Sequence, residues 1–236
     1  MAKRPEVLHD SRTIIYNQSH WSNFHVLRSR ALDIMKKLEG IGIRPLLHGS
    51  VARGDVAPSS DIDIIILQQV SSYKIELALG HYIMRELVQA TPSMVLKGHI
   101  YLEGEIVVSF PIFKTLTREE EFYRWGGVID SVSIEAEMRV PGVDKRLLLI
   151  EPIPAGHVES GVIENEYAVA KKLDVSIDIA RERVRVLTRR DIVGKTGVYI
   201  NYKLKDTESF EEVAKRLQDS DPALRRTIER RQGKRR

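Results

Sequence analysis

The stretch from Leu46 to Leu67, LLHGSVARGDVAPSSDIDIIIL, constrains the fold of this chain more than any other. An apolar run leads into it and predicts a short buried strand over residues 43–48, which ends at the following glycine. The polar segment with Gly54 and Pro58 is typical of a loop. Residues 61–67 read DIDIIIL, and so many β-branched side chains favour a second strand over a helix. The stretch therefore predicts two core strands joined by a polar loop.

The polar residues of this stretch indicate a kind of chemistry. Because side chains alternate along a strand, Asp61 and Asp63 point to the same face, about 7 Å apart. Two such carboxylates repel each other unless a cation lies between them, and a hard, oxygen-binding ion such as Mg²⁺ suits them. Gly49 allows a close backbone approach, and a helix beginning at Ser50 would point its N–H groups at an anion. A phosphate cradle shortly before a carboxylate pair indicates metal-assisted phosphoryl or nucleotidyl transfer.

The same residues resemble a known family. The string GSVARGDVAPSSDIDIIIL is similar to the signature of the DNA polymerase beta-like nucleotidyltransferases, and closest in form to the minimal nucleotidyltransferases of prokaryotes. Arg53, Gly54, Ser60 and Asp61 match the usual filler of that signature, and the glycine-serine pair and the two aspartates match its core. The alternative interpretation is a polar loop between two core strands, with incidental carboxylates.

The resemblance implies an α+β fold, with a mixed sheet and flanking helices. It implies Mg²⁺ or Mn²⁺ as the cofactor and a nucleoside triphosphate (NTP) as the substrate, bound by Gly49 and Ser50, while Arg53 either adds charge at the phosphates or forms a salt bridge in the loop. It also implies a third acidic residue on a neighbouring strand. The candidates are Glu105 and Glu103, and Glu105 is preferred because it begins the face shared with Val107 and Ser109. If neither serves, the site has only two carboxylates.

The amino-acid composition limits the kinds of site and the cellular location that we expect for this chain. The sequence of 236 residues contains no cysteine, which excludes disulfides and thiolate metal sites. No apolar run reaches the ~18 residues of a membrane span, and the N-terminus lacks an apolar signal core. We therefore expect a cytoplasmic protein without a membrane partner. The net charge of +4 comes from the C-terminal tail, because residues 225–236 hold seven lysines and arginines against one glutamate. Such a tail either contacts nucleic acid or is a solvated, frayed terminus.

The periodicity of apolar residues and the turn residues predict the remaining helices and strands. Among them, His157 with Glu159 is only a weak indication of a metal site. We expect a loose arm over residues 1–19, helices over 21–39 and 73–89, a hairpin over 94–102 and 105–111, a helix over 117–124, a second hairpin over 131–140 and 145–151, and a linker at 152–156. These elements suggest a nucleotidyltransferase domain over residues 1–116, a connecting helix and hairpin over 117–154, and a C-terminal domain over 155–236.

The C-terminal stretch over residues 165–202 resembles a winged helix-turn-helix module, with two helices before a turn at Gly194 and a two-stranded wing. Residues 165–205 hold ten lysines and arginines against five acids, which favours contact with phosphates. Arg185, Arg189 and Lys195 are the candidate nucleic-acid-binding residues. Asp178 and Glu182 on the outward face weigh against such binding, so a packing or dimerisation module is the alternative.

Three functions fit these predictions. The first is an enzyme that moves a nucleoside monophosphate from an NTP to an acceptor hydroxyl. The second is a regulator that binds nucleic acid, such as DNA, through its winged module. Its first domain is then inactive or only senses nucleotide. The third is an antitoxin-like protein that works with a partner protein or as a homodimer.

Overall fold

The computed structural model describes residues 4–194 and 197–232. Their elements, in chain order, are β1 (Arg12–Ile15), α1 (Gln18–Glu39), β2 (Pro45–His48), α2 (Ser50–Arg53), β3 (Ile62–Ile66), α3 (Ser72–Leu79), β4 (Met84–Gln89), β5 (Lys97–Leu102), β6 (Ile106–Pro111), α4 (Thr117–Gly126), β7 (Val128–Ile129), α5 (Ser131–Glu135), β8 (Gly142–Val143), β9 (Leu148–Ile153), β10 (Gly156–Gly161), α6 (Glu166–Lys172), α7 (Ile177–Val193), β11 (Ile200–Lys203), α8 (Phe210–Ser220) and α9 (Pro222–Arg231).

The chain divides into two compact units that interleave along the sequence. The first unit holds Met1–Arg30, Leu47–Ser60 and Glu120–Thr196, and the second holds Ala31–Leu46, Asp61–Glu119 and Gly197–Arg236. No helix of the described ranges is long and apolar enough to cross a lipid bilayer.

The first unit is built on an antiparallel sheet in the order β1-β10-β9-β8, and β2 pairs antiparallel with β7. Gly156 permits the close approach of β1, because a Cβ atom there would lie 1.9 Å from the Ile14 carbonyl oxygen. An apolar core lies under α6 and α7. Its buried members include Trp125, Val143, Leu147, Leu149, Val162, Val169, Ala170, Leu173 and Ala180.

The second unit is built on strands in the order β11-β4-β5-β6-β3, of which β3 and β6 are parallel and the other pairs antiparallel. One face of β3 is fully apolar, because Ile62, Ile64 and Ile66 alternate with Asp63 and are each at most 1 % exposed. Gly98 leaves room for Phe110, whose ring packs edge-on against Phe210 of α8.

Several predicted elements are confirmed: the helix over 21–39, the two strands of the glycine-serine stretch, the hairpin over 94–111 and the helix that begins at Thr117. The helix predicted over 73–89 is wrong in its second half. It ends at Gly80, which has a positive φ of 72°, and residues 84–89 form β4. Burial alternates along β4, so its period is two, not 3.6.

Three further predictions near the first unit's sheet are wrong. Residues 131–135 form helix α5 and not a strand, because Asp130 caps them by accepting a hydrogen bond from the Ser133 N–H. The predicted linker at 152–156 is the tight turn of the β9–β10 hairpin. The N-terminal arm contains β1, which pairs with β10 along its whole length.

The two helices predicted for the C-terminal stretch are present as α6 and α7, but the described residues do not form the predicted wing. Helix α7 continues to Val193, which leaves no strand before Gly194. The segment expected as the second wing strand is β11, and it pairs with β4 of the second unit's sheet. Lys195 lies outside the described residues.

Candidate functional site

A glycine with a positive φ joins β2 to α2 in the first unit. Gly49 has φ 82° and ψ −144°, a conformation that side-chain-bearing residues rarely adopt. Its N–H donates to the Gly127 carbonyl oxygen at 3.0 Å, and its carbonyl accepts from the Arg53 N–H at 3.0 Å. The chain therefore turns within one residue from strand into helix. The amides of Ser50 and Val51 follow in the first turn, ahead of the first intrahelical hydrogen bonds.

Arg28 of α1 holds the other end of α2 and is a residue that the sequence analysis missed. The Nε atom donates to the Val51 carbonyl at 3.1 Å and Nη2 donates to that of Ala52 at 2.9 Å, while Nη1 reaches the Met138 carbonyl. The side chain is buried, which lowers the pKa of Arg28 to about 10, so it stays charged at neutral pH. The carbonyl groups at the end of a helix have no helical N–H to accept from, and Arg28 supplies the missing donors. The only sequence signal is an arginine inside an apolar helical stripe.

Arg53 forms the loop salt bridge that was its alternative role. Its guanidinium donates to the Gly126 carbonyl at 2.5 Å through Nη1 and to Oδ2 of Asp55 at 2.9 Å through Nη2. Both side chains are buried, with 6 % and 5 % of their surface exposed. This pair fixes α2 against the chain around Gly126 and Gly127.

Two serines close the loop on itself. The Ser50 hydroxyl donates to Oγ of Ser60 at 3.2 Å, and Ser60 Oγ accepts from the Ala57 N–H at 2.9 Å. Ser50 is half-buried, so its hydroxyl and backbone remain partly open to solvent. The loop is thus held by its own side chains at both ends of α2.

The two aspartates lie at the beginning of β3 in the second unit. Asp61 precedes the strand and is exposed, whereas Asp63 is half-buried within it. Asp63 lies beside Val107 of β6, and Val107 lies beside Tyr101 of β5. Side chains paired in this way share one face of the sheet. The face that carries Asp63 is therefore the less buried one, opposite Ile62 and Ile64.

Glu105 lies in the turn between β5 and β6 and not within a strand. It is exposed and has a positive φ of 63°, and its carbonyl oxygen accepts from the Ile62 N–H at 2.9 Å. Glu103, in the same turn, is exposed too. Within residues 4–194 and 197–232, no three acidic or histidine side chains are grouped to hold a metal ion. The third carboxylate thus stays a prediction.

A row of hydrogen-bonded polar side chains continues the Asp63 face across the sheet, and sequence reasoning missed it. The Tyr101 hydroxyl donates to Oε1 of Glu86 on β4, and Nδ1 of His99 is hydrogen-bonded to Oγ of Ser109 at 2.7 Å. Burial, the bond to Glu86 and the charge of Asp63 together raise the pKa of Tyr101. Burial lowers the pKa of His99 to about 4, so its imidazole is neutral at pH 7. The face therefore places a tyrosine hydroxyl and a neutral imidazole near the half-buried carboxylates of Asp63 and Glu86.

The donor set of Asp61 and Asp63 suits a hard divalent cation. Carboxylate oxygens are the ligands that Mg²⁺ and Mn²⁺ prefer, and both aspartates supply them at the beginning of β3. The residues present therefore fit the metal that the aspartate pattern indicates.

The candidate nucleic-acid-binding residues lie on the exposed side of α7. Arg185 and Arg189 are exposed, and so is Arg181 one turn earlier. Glu182, expected on the same outward face, is half-buried instead. The exposed side of α7 is therefore more basic than the sequence pattern indicated.

Comparison with known proteins gives one match. The family model described as Nucleotidyltransferase domain matches residues 28–193, which is more than half of the chain. No curated protein and no solved structure matches the chain. The matched region begins at Arg28, includes Gly49, Ser50, Asp61 and Asp63, and ends with α7. The chain therefore belongs to the family of nucleotidyltransferase domains.

Proposed function

We propose that the protein is a metal-dependent nucleotidyltransferase that moves a nucleoside monophosphate from an NTP to an acceptor hydroxyl. The observation that carries this proposal is the aspartate pair at β3, which follows the Gly49 turn in the sequence after α2 and a short loop. Membership of the family supports the general activity. The metal, the NTP and the acceptor are the finer parts of the proposal.

The residues of the proposed site have distinct tasks. Gly49 and Ser50 would bind the phosphates of the NTP, since the open glycine turn lets the backbone approach them and the serine hydroxyl adds a donor. Asp61 and Asp63 would hold Mg²⁺ or Mn²⁺, with Glu105 as the candidate third ligand. When bound, such ions neutralise phosphate charge and acidify the acceptor hydroxyl.

The braces of the loop would act by positioning. Arg53 is bonded to Asp55 and Gly126, and Arg28 to the carbonyls of Val51 and Ala52. A rigid turn lowers the ordering cost of binding, because its donors need not be rearranged when the phosphates arrive. We therefore assign both arginines to the support of the turn and not to direct phosphate contact.

A second candidate function is a nucleic-acid-binding regulator whose nucleotidyltransferase fold only senses nucleotide. Two observations favour it: Glu105 is placed in a turn, away from a regular strand position, and the exposed side of α7 carries arginines. In this case the protein binds NTP but transfers nothing.

A transfer assay separates the two functions. The protein is incubated with Mg²⁺ or Mn²⁺ and an NTP labelled in its α-phosphate, together with an oligonucleotide, a protein or a small polyol as the acceptor. We expect label on one acceptor class and release of pyrophosphate, both lost in Asp63→Asn. Asp33→Asn is the matched control, because Asp33 is an exposed acid on α1 of the same unit. Nucleotide binding with neither transfer nor pyrophosphate release would support the regulator instead.

A further inference from the structure

Helix α7 carries a regular cationic stripe, formed by Arg181, Arg185 and Arg189. The three residues are four positions apart, so they lie on one side of the helix with about 6 Å of rise between neighbours. All three are exposed, and within residues 4–194 and 197–232 none of them takes part in an ion pair.

The opposite side of α7 is fixed, so the stripe is presented on a firm support. Ala180 belongs to the first unit's core, and Ile177, Val184 and Leu187 pack against it. Arg183 on a third side packs over the ring of Phe122, which explains why it is not part of the stripe. Asp178 is an exposed acid on the side of α7 that carries the stripe, and it lies one turn before Arg181.

The length and charge of the stripe fit a sugar-phosphate backbone. It spans about 12 Å, the axial length of three to four successive phosphates on one strand. We propose that α7 binds the phosphate backbone of a nucleic acid through Arg181, Arg185 and Arg189 without reading its sequence. The arginines lie in the middle and last turns of α7, whereas helices that read bases in a groove use their first residues, where this helix has Asp178.

A lipid surface fits less well. A helix that lies in a membrane interface needs a broad apolar face beside its basic residues. The large exposed hydrophobic residues of α7 are Ile192 and Val193, which lie together at its C-terminal end, beyond the stripe. The proposed binding of nucleic acid by α7 does not depend on catalysis. The use of that nucleic acid as the source of the acceptor hydroxyl rests on the proposed function.

Fluorescence anisotropy with labelled oligonucleotides tests the stripe. The probes are single-stranded RNA, single-stranded DNA and duplex DNA of mixed sequence, each longer than the ~16 nucleotides that a single-stranded site covers at most. Binding is measured over a salt series with the full chain and with the triple variant R181Q/R185Q/R189Q. Loss of three phosphate contacts should reduce the slope of log K against log salt by about two for single strands and about three for duplexes. We expect affinity at low salt to fall by at least about tenfold, equally across sequences.

Two control variants make the result specific. R181K/R185K/R189K keeps the charges and should keep most of the salt slope. K37Q/R44Q/R118Q removes three exposed charges from the second unit and should bind nearly as well as the unchanged protein. Three results would overturn the proposal. The first is equal weakening by both glutamine triple variants, which would show an effect of net charge alone. The others are unchanged binding by the stripe variant and tighter binding of an acidic protein than of all three nucleic-acid probes. Calorimetry of NTP with the stripe variant keeps the two proposals apart, since binding at the aspartate site should be unaffected.

Discussion

Arg28 and Ala52 are joined by a 2.9 Å hydrogen bond, in which a buried guanidinium donates through Nη2 to a backbone carbonyl at the end of α2. The same side chain also serves Val51 and Met138. One arginine of α1 therefore donates to the carbonyls of three residues, and the Ala52 carbonyl accepts from the Val140 N–H as well. The Gly49 turn and its helix depend on a residue that lies more than 20 positions earlier in the chain.

Replacing this arginine should loosen the loop. In Arg28→Met the length of the side chain is kept but the buried carbonyls lose their donors, so the free energy of unfolding should fall by about 2–4 kcal/mol. Affinity for NTP should fall as well, because the Gly49 turn is no longer held. Urea unfolding and calorimetry measure the two effects. Lys37→Met on the exposed side of the same helix is the control and should stay within about 0.5 kcal/mol of the unchanged protein. A stable Arg28→Met protein with normal affinity would contradict the brace.

The conformation of Gly49 should matter for binding and not only for stability. Gly49→Ala places a Cβ at φ 82°, which costs about 1–3 kcal/mol of strain. Gly42→Ala is a matched control, because Gly42 has φ 78° and open space around its Cβ position. Both variants should lose a similar amount of stability, but only Gly49→Ala should weaken NTP binding. Equal NTP affinities in the two variants, measured by calorimetry, would remove Gly49 from the phosphate site.

Glu159 should make the stability of the protein depend on acid pH. Burial alone would raise its pKa, but hydrogen bonds from Arg146, Arg12 and His157 lower the pKa of Glu159 to about 2. Since the folded pKa lies below the ordinary value of 4.5, the stabilisation is complete above about pH 4.5 and is lost as the pH falls toward 2. The difference in unfolding free energy between the native chain and Glu159→Gln, from urea titrations, should therefore be large at neutral pH and shrink in acid. A difference independent of pH would mean that the ion pairs contribute nothing.

His99 should titrate well below a normal histidine. Burial, and to a smaller extent the charge of Lys97, lowers its pKa to about 4 from an ordinary 6.5. Because the folded protein resists protonation there, stability should decrease as the pH falls from about 6.5 toward 4. NMR titration of the imidazole protons gives the pKa directly. A midpoint near 6.5 would show that the ring is solvated and that the Ser109 bond is not maintained.

The parts of the fold that could be predicted are those where local chemistry and tertiary environment agree. The β3 strand was evident because Ile62, Ile64, Ile65 and Ile66 favour both an extended backbone and burial. Segment 84–89 was misassigned because its alternation places Arg85 on the buried side, where Glu76 pairs with it at 2.8 Å, and a sequence window cannot show that partner. The wing failed for a similar reason: β11 finds its partner in β4, more than 100 residues earlier.

The candidate site divides in the same way. Gly49, Ser50, Asp61 and Asp63 were found because their chemistry is written in one short stretch. Arg28, Glu86 and Tyr101 were missed because each acts through a neighbour that only the fold supplies, a carbonyl for the arginine and a hydroxyl–carboxylate pair for the others. Glu105 is the opposite case. The hairpin lies where the sequence predicts it, but the positive φ of Glu105 places this residue in the turn and not in the strand.

Calorimetry of NTP binding with and without Mg²⁺, on the full chain and on Asp63→Ala, tests the central claim most directly. Each of the four NTPs is titrated, and Asp33→Ala on the exposed face of α1 controls for the loss of one negative charge. The account predicts that at least one NTP binds much more tightly with the metal, and that Asp63→Ala alone removes this dependence. Binding that is absent under all conditions, or that responds to Mg²⁺ equally in the Asp63→Ala protein, would contradict it.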